Sequence, residues 1–157
     1  MADDFQYKHV IPAQIRFSDV DQFGHMNNSV YFSLYDLAKT SYLRDVFGPQ
    51  DWTKFAMVVA NINADFLAPV FFTDDLVIET AVVHLGNKSF TLLQRAVDKE
   101  TKDVKCQCRT VMVAFDIESQ SPIPIPQDYK EAISKYEGKT LEEMAVPLSV
   151  RTSNESK

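Results

Sequence analysis

The segment from Ser29 to Phe47 contains neither Gly nor Pro and stops at Gly48-Pro49. Within it Val30, Leu34, Leu37, Ala38 and Leu43 recur at near-helical spacing, which predicts one long helix ended by its glycine. Asn27, Asn28 and Ser29 are each competent to cap its start. Phe32 and Tyr35 fall off that stripe, so the helix is apolar over more of its girth than one flat neighbour covers. A largely buried helix of this kind needs a sheet curved around it.

The rest of the chain supplies strands. Tyr7 to Ser18 alternates loosely, with Pro12 marking an edge or a bulge. After Trp52 come four β segments, about Phe55 to Val70, Asp75 to Leu85, Lys88 to Asp98 and Val104 to Ile117, with Leu85-Gly86-Asn87-Lys88 as a tight hairpin. Three of the six residues Ser121 to Pro126 are proline, so this stretch has to leave the sheet. Gln127 to Tyr136 and Leu141 to Met144 read as short helices, and Arg151 to Lys157 as a polar tail. The order strand, long helix, four strands predicts an α+β fold, a single domain over 1–157 with its core at about 7–127 and an extension over 128–157.

Composition narrows the function. A 157-residue chain with 45% hydrophobic residues closes a core, and a net charge of −6 argues against bulk binding to nucleic acid or to an anionic membrane surface, leaving room only for a small local basic patch. No apolar run suits a membrane span, and the acidic Met1-Ala2-Asp3-Asp4 is unlike a signal peptide, so a cytoplasmic location is expected. The two cysteines, Cys106 and Cys108, share one face of a strand and read as core thiols; there is no second Cys pair or His pair to complete a metal site.

Chemistry concentrates in Asp19-Val20-Asp21-Gln22-Phe23-Gly24-His25-Met26-Asn27-Asn28, a polar loop between strand and helix. Amides at a helix N-terminus attract developing negative charge, and a carboxylate just upstream can serve as a nucleophile or general base, which are the two needs of acyl transfer. The same spacing suits two aspartates that cap the loop's own amides and a His25 that packs in the turn. Spacing alone leaves both readings open. Neither a Gly-x-Ser-x-Gly elbow nor a phosphate loop is present.

The run Arg16 to Tyr31, with Asp19, Asp21, Gly24 and the early helical Tyr31, resembles the signature of the 4-hydroxybenzoyl-CoA thioesterase-like branch of the hotdog-fold superfamily. The resemblance continues through Phe66-Leu67-Ala68-Pro69-Val70, the Thr73-Asp74-Asp75 turn and Gly86-Asn87-Lys88-Ser89-Phe90. It implies a curved antiparallel sheet of about five strands wrapped around the central helix, and a homodimer joined sheet edge to sheet edge or a homotetramer. Sites in that family lie at the dimer interface.

The resemblance also implies acyl-CoA thioester hydrolysis, with Asp21 as nucleophile or general base and the Asn28 backbone amide as oxyanion donor. Asp19 matches a supporting position. His25 stands near the reaction but departs from the bacterial Tol-Pal-associated members, where a His occupies the position of Asn28. Tyr31, Phe66 and Phe90 are candidates to shape an acyl tunnel, Lys88 to contact a CoA phosphate, and Ser89 to bind substrate beside it. No metal or redox cofactor is expected, since CoA is part of the substrate. An acyl-carrier-protein ester and a non-catalytic acyl-CoA-binding role are the alternatives.

Overall fold

The computed structural model describes residues 6–50, 53 and 55–147. The expectations placed on Met1 to Asp4, Trp52 and Arg151 to Lys157 lie outside them. Strands β1 (His9–Ala13), β2 (Phe55–Phe66), β3 (Leu76–Leu85), β4 (Ser89–Asp98) and β5 (Val104–Asp116) join in the order β1-β3-β4-β5-β2, and helix α1 (Asn28–Phe47) separates β1 from β2 in sequence. Strand β1 pairs antiparallel with β3, from His9 opposite Thr80 to Ala13 opposite Leu76. Pro12 thus sits on an end strand, where its missing donor costs no ladder bond on the open side.

Three elements differ from the sequence reading. The first strand stops at Ala13, and the chain then makes a single 3-10 turn over Phe17–Asp19. Strand β2 ends at Phe66, because the amides of Leu67 and Ala68 both turn to one carbonyl, that of Lys105, at 2.9 and 3.1 Å. The proline segment keeps one foothold on the sheet, as Ser121–Pro122 (β6) pairs with Asp116 and Phe115 at the end of β5. Helices α2 (Gln127–Glu137) and α3 (Leu141–Met144) fall where expected.

Contacts divide the chain into two units, each cutting across helix and strands. The first comprises Met1–Tyr42, Ala64–Ala81 and Gln94–Cys108. Its core gathers Met26, Tyr31, Tyr35, Ala38, Val70, Leu76, Ile78, Ala96, Cys106 and Cys108, all at most 4% exposed. Both cysteines are free, buried thiols. The buried stripe of α1 is Tyr31, Tyr35, Ala38 and Tyr42, rotated from the predicted aliphatic one, and Leu37 is 60% exposed. A tyrosine fills more of the space between helix and sheet than a leucine, and its ring can be buried while its hydroxyl seeks a partner. Val30 and Leu34 remain half-buried at the margin of this core.

The second unit comprises Leu43–Asn63, Val82–Leu93 and Arg109–Lys157. Its hairpin closes with the Gly86 amide donating to the Ser89 carbonyl at 2.7 Å. Buried residues continue past the proline segment, with Ile125, Ile133 and Met144 at most 3% exposed. The register of β1 leaves β3 without a strand partner on that side beyond Thr80, and the Val82 amide donates instead to the buried Glu137 carboxylate of α2 at 3.0 Å. Helix α2 thereby satisfies an edge that a strand would otherwise occupy.

Replacing Glu137 with Ala leaves the buried Val82 amide unpaired and is expected to cost about 1–3 kcal/mol in urea denaturation. Glu137→Gln keeps an acceptor and is expected to cost less.

Candidate functional site

The loop that carries the candidate residues belongs wholly to the first unit and is closed by its own bonds. Asp19 is buried. Its Oδ2 accepts from the Arg16 amide at 2.8 Å, and its Oδ1 pairs with the Arg16 guanidinium at 3.1 Å. That guanidinium bond holds the Asp19 carboxyl below the usual carboxylate range, against the opposing effect of burial. The Asp19 carbonyl accepts from the Asn27 amide at 2.8 Å, which ties the two ends of the loop together. Asp19 therefore holds the loop.

Between those ends Val20 pairs with Met26, and the Asp21 amide donates to the His25 carbonyl at 2.8 Å. A tight turn follows: the Gly24 amide donates to the Asp21 carbonyl at 3.0 Å, and the Phe23 amide to Asp21 Oδ1 at 2.8 Å. Gly24 has φ +81, a left-handed conformation, and a Cβ there would meet no other atom of the chain within 4 Å. Glycine is demanded by the backbone at this position and not by crowding within the chain. The far side of the loop docks on the segment after β2, through the Met26 amide on the Val70 carbonyl at 2.7 Å and an isolated pairing of His25 with Phe71.

Helix α1 opens where this loop ends. Asn27 caps it: Oδ1 accepts from the Ser29 amide at 3.0 Å and its carbonyl from the Val30 amide at 3.0 Å. The Asn28 amide is the donor left over in that first turn, with no acceptor bonded to it among the described residues. It faces an electrostatic environment favourable to negative charge, since the helix dipole adds to its own N–H.

A cavity of about 220 Å3 lies at this helix end, lined by His25, Met26, Asn28, Tyr31 and the Phe66–Val70 segment. Tyr31 contacts Phe66 with ring centroids 5.7 Å apart and stacks on Tyr35 at 6.1 Å. Burial pushes both tyrosine hydroxyls up, so they stay neutral at ordinary pH, and it pushes the Cys106 thiol up to about 11. His25 packs edge to face on Phe71 at 5.2 Å and stands on the cavity wall.

The candidates thus separate into groups. His25, Asn28, Tyr31 and Phe66 share one cavity. Asp21 lies on the same loop but is exposed and does not line the cavity; Oδ1 is held by the Phe23 and His25 amides, and Oδ2 makes no hydrogen bond among the described residues. Lys88, Ser89 and Phe90 belong to the second unit, where Phe90 is wholly buried, Lys88 is exposed, and the Ser89 carbonyl serves the hairpin. Among the other basic residues Arg95 is committed to Glu79 at 2.7 Å and lies over the Tyr7 ring. Met26 and the four residues Leu67, Ala68, Pro69 and Val70 were missed as lining residues. The apolar Met26 between two polar neighbours was the one sequence signal that the loop turns a side chain inward.

Strand order, the helix inserted after the first strand and a site at that helix's mouth define the hotdog class of α+β fold. Consistent with this, the family profile of the thioesterase-like superfamily matches residues 15–133, and the chain belongs to that superfamily. It is 24% identical over 124 residues to the long-chain acyl-CoA thioesterase FadM of Escherichia coli K12, a match covering 78% of this chain and 94% of FadM. With YsmA of Bacillus subtilis 168 it shares 32% identity over 78 residues, 50% of this chain and only 53% of that relative's length. Among solved structures, a thioesterase from Thermus thermophilus complexed with coenzyme A and Zn superposes with a TM-score of 0.75 at 28% identity, covering 86% of this chain and 98% of that one.

The Asp19 clamp carries a pH signature. Its carboxyl is depressed in the fold, so its stabilisation is complete above the unfolded value of about 3.9 and is lost as pH falls through the lower folded value. Asp19→Asn is expected to lose about 1–2 kcal/mol at neutral pH. In denaturation curves taken at descending pH, the gap between wild type and variant should close below about pH 4.

Proposed function

We propose that the protein is an acyl-CoA thioesterase, hydrolysing a thioester to a carboxylic acid and free CoA. The observation that carries this reading is the unbonded Asn28 amide at the head of α1, facing a cavity walled by Met26, Tyr31, Phe66 and Val70. A thioester carbonyl placed there receives that N–H, and the bond strengthens as the carbonyl oxygen gains negative charge. Family membership, FadM's acyl-CoA activity and the CoA held by the Thermus structure support a CoA ester over a carrier-protein ester.

Asp21 is the carboxylate assigned to the attack, through its free Oδ2. As a general base it takes a proton from water while the water oxygen bonds to the thioester carbon. The oxyanion collapses, the C–S bond breaks, and the CoA sulfur leaves with the proton. As a nucleophile, Asp21 bonds to the acyl carbon and expels the CoA thiolate, which takes a proton from solvent, and water then opens the mixed anhydride to the carboxylic acid and free Asp21. Neither route uses a metal or a redox group.

The exposed carboxylate needs cover to work as a base, and a second copy of this chain is the proposed source. Strand β2 ends the sheet, is 12 residues long, carries one charged side chain, Asp65, and exposes Val58, Val59, Ile62 and Phe66. A long apolar edge of this kind invites pairing with another strand, and pairing with its own copy satisfies it.

Thiol release from a panel of acyl-CoAs tests the chemistry. Asp21→Asn is expected to lose turnover by at least about a hundredfold while keeping wild-type stability and assembly. Hydrolysis by that variant at the wild-type rate would remove Asp21 from the mechanism. Sedimentation tests the assembly: wild type should run as a dimer or a larger even assembly, and Ile62→Lys should shift it toward monomer and reduce turnover with it.

A further inference from the structure

The cavity also carries information about the acyl group. Asn28 and Tyr31 both line it and lie three residues apart on α1. At 1.5 Å per residue, Tyr31 stands about 4.5 Å further along the helix axis than the amide that would hold the carbonyl. Behind Tyr31 lie side chains of the first unit's core. Tyr35 stacks behind it, tilted by 22°, and Tyr35, Ala38, Cys106 and Cys108 are 3% exposed or less. Phe66 meets Tyr31 from the strand side.

We propose that Tyr31, backed by the packed Tyr35 and Cys106, is the floor of the acyl site and restricts the protein to short acyl groups. This deepens the acyl-CoA reading above and rests on it. An apolar cavity of about 150 Å3 accommodates a benzene ring. The 220 Å3 here is open on one side and takes a group of about six carbons together with the thioester carbon, after which a longer chain meets the Tyr31 ring or turns out to solvent. The chain would then differ in chain-length preference from FadM, whose name specifies long-chain esters.

The test separates depth from catalysis. S-alkyl-CoA thioethers, from ethyl to hexadecyl, cannot be hydrolysed and report binding alone by titration calorimetry on the full chain. Affinity for wild type is expected to rise about fourfold per carbon while the cavity fills, then to stop rising at about six carbons. Tyr31→Ala, or Tyr31→Leu if the smaller residue does not fold, should move that break to longer chains, and Tyr31→Phe should leave it in place. A wild-type affinity that keeps climbing through dodecyl and hexadecyl would overturn the floor. Thiol release measured beside it judges the other claim. A break at short chains without hydrolysis of any ester would keep the floor and remove the thioesterase reading, and hydrolysis with continued gain for long chains would do the reverse.

Discussion

One hydrogen bond, from the Asn27 amide to the Asp19 carbonyl, decides where helix α1 begins. It places the end of the loop beside its start, and the Arg16 clamp on the Asp19 carboxylate fixes that start in turn. With Asn27 anchored, its side chain and carbonyl are aimed to take the Ser29 and Val30 amides, and the Asn28 amide is the one that remains. An oxyanion donor has to be preorganised to be useful, because a donor that reorients during the reaction loses the advantage over water. The Asn28 amide, for which that role is proposed, is held in place by bonds in which it takes no part.

The underside of α1 shows how a helix lined with tyrosines is held in register with a sheet. Gln94, completely buried on β4, donates both to the Tyr35 carbonyl at 3.0 Å and to Thr80 Oγ1 at 3.1 Å. A buried amide is costly unless bonded, so this side chain penalises any helix position that breaks those contacts. His9 acts similarly at the far end of the stripe, bonded to Ser41 and packed edge to face on Tyr42. Polar anchors of this kind set position, and the apolar contacts around them supply the bulk of the burial.

Local features of the site were legible in the sequence because their causes are local. Asp19, Asp21, Gly24 and Asn27 form turns and caps whose partners lie within a few residues; of the two readings left open for the aspartates the structure shows the capping one, since both bind loop amides, and Asp21 keeps one oxygen unbonded among the described residues. The helical stripe was legible in existence but not in phase. Val30, Leu34 and Leu37 satisfy helical spacing as well as Tyr31, Tyr35 and Tyr42 do, and periodicity cannot rank two apolar stripes that overlap. Lys88, Ser89 and Phe90 were placed at a substrate site by resemblance and, for Lys88, by the need for a cation; the structure shows their place on the β3–β4 hairpin of the second unit, with Phe90 buried.

By itself the sequence determined the elements and their order, the loop's turn chemistry and the residue types at the helix mouth, since each of these follows from spacing, proline and glycine placement, and short-range hydrogen bonding. Tertiary structure alone decided which face of α1 is buried, that Phe66 to Val70 form the opposite wall of the cavity, and that Asp21 stands outside it. Phe66 and Tyr31 are far apart in the chain, and they meet because the Lys105 carbonyl of β5 bends the end of β2 while Val70 receives the Met26 amide. Contacts between segments so distant depend on strand order and register, which no local pattern of residues encodes.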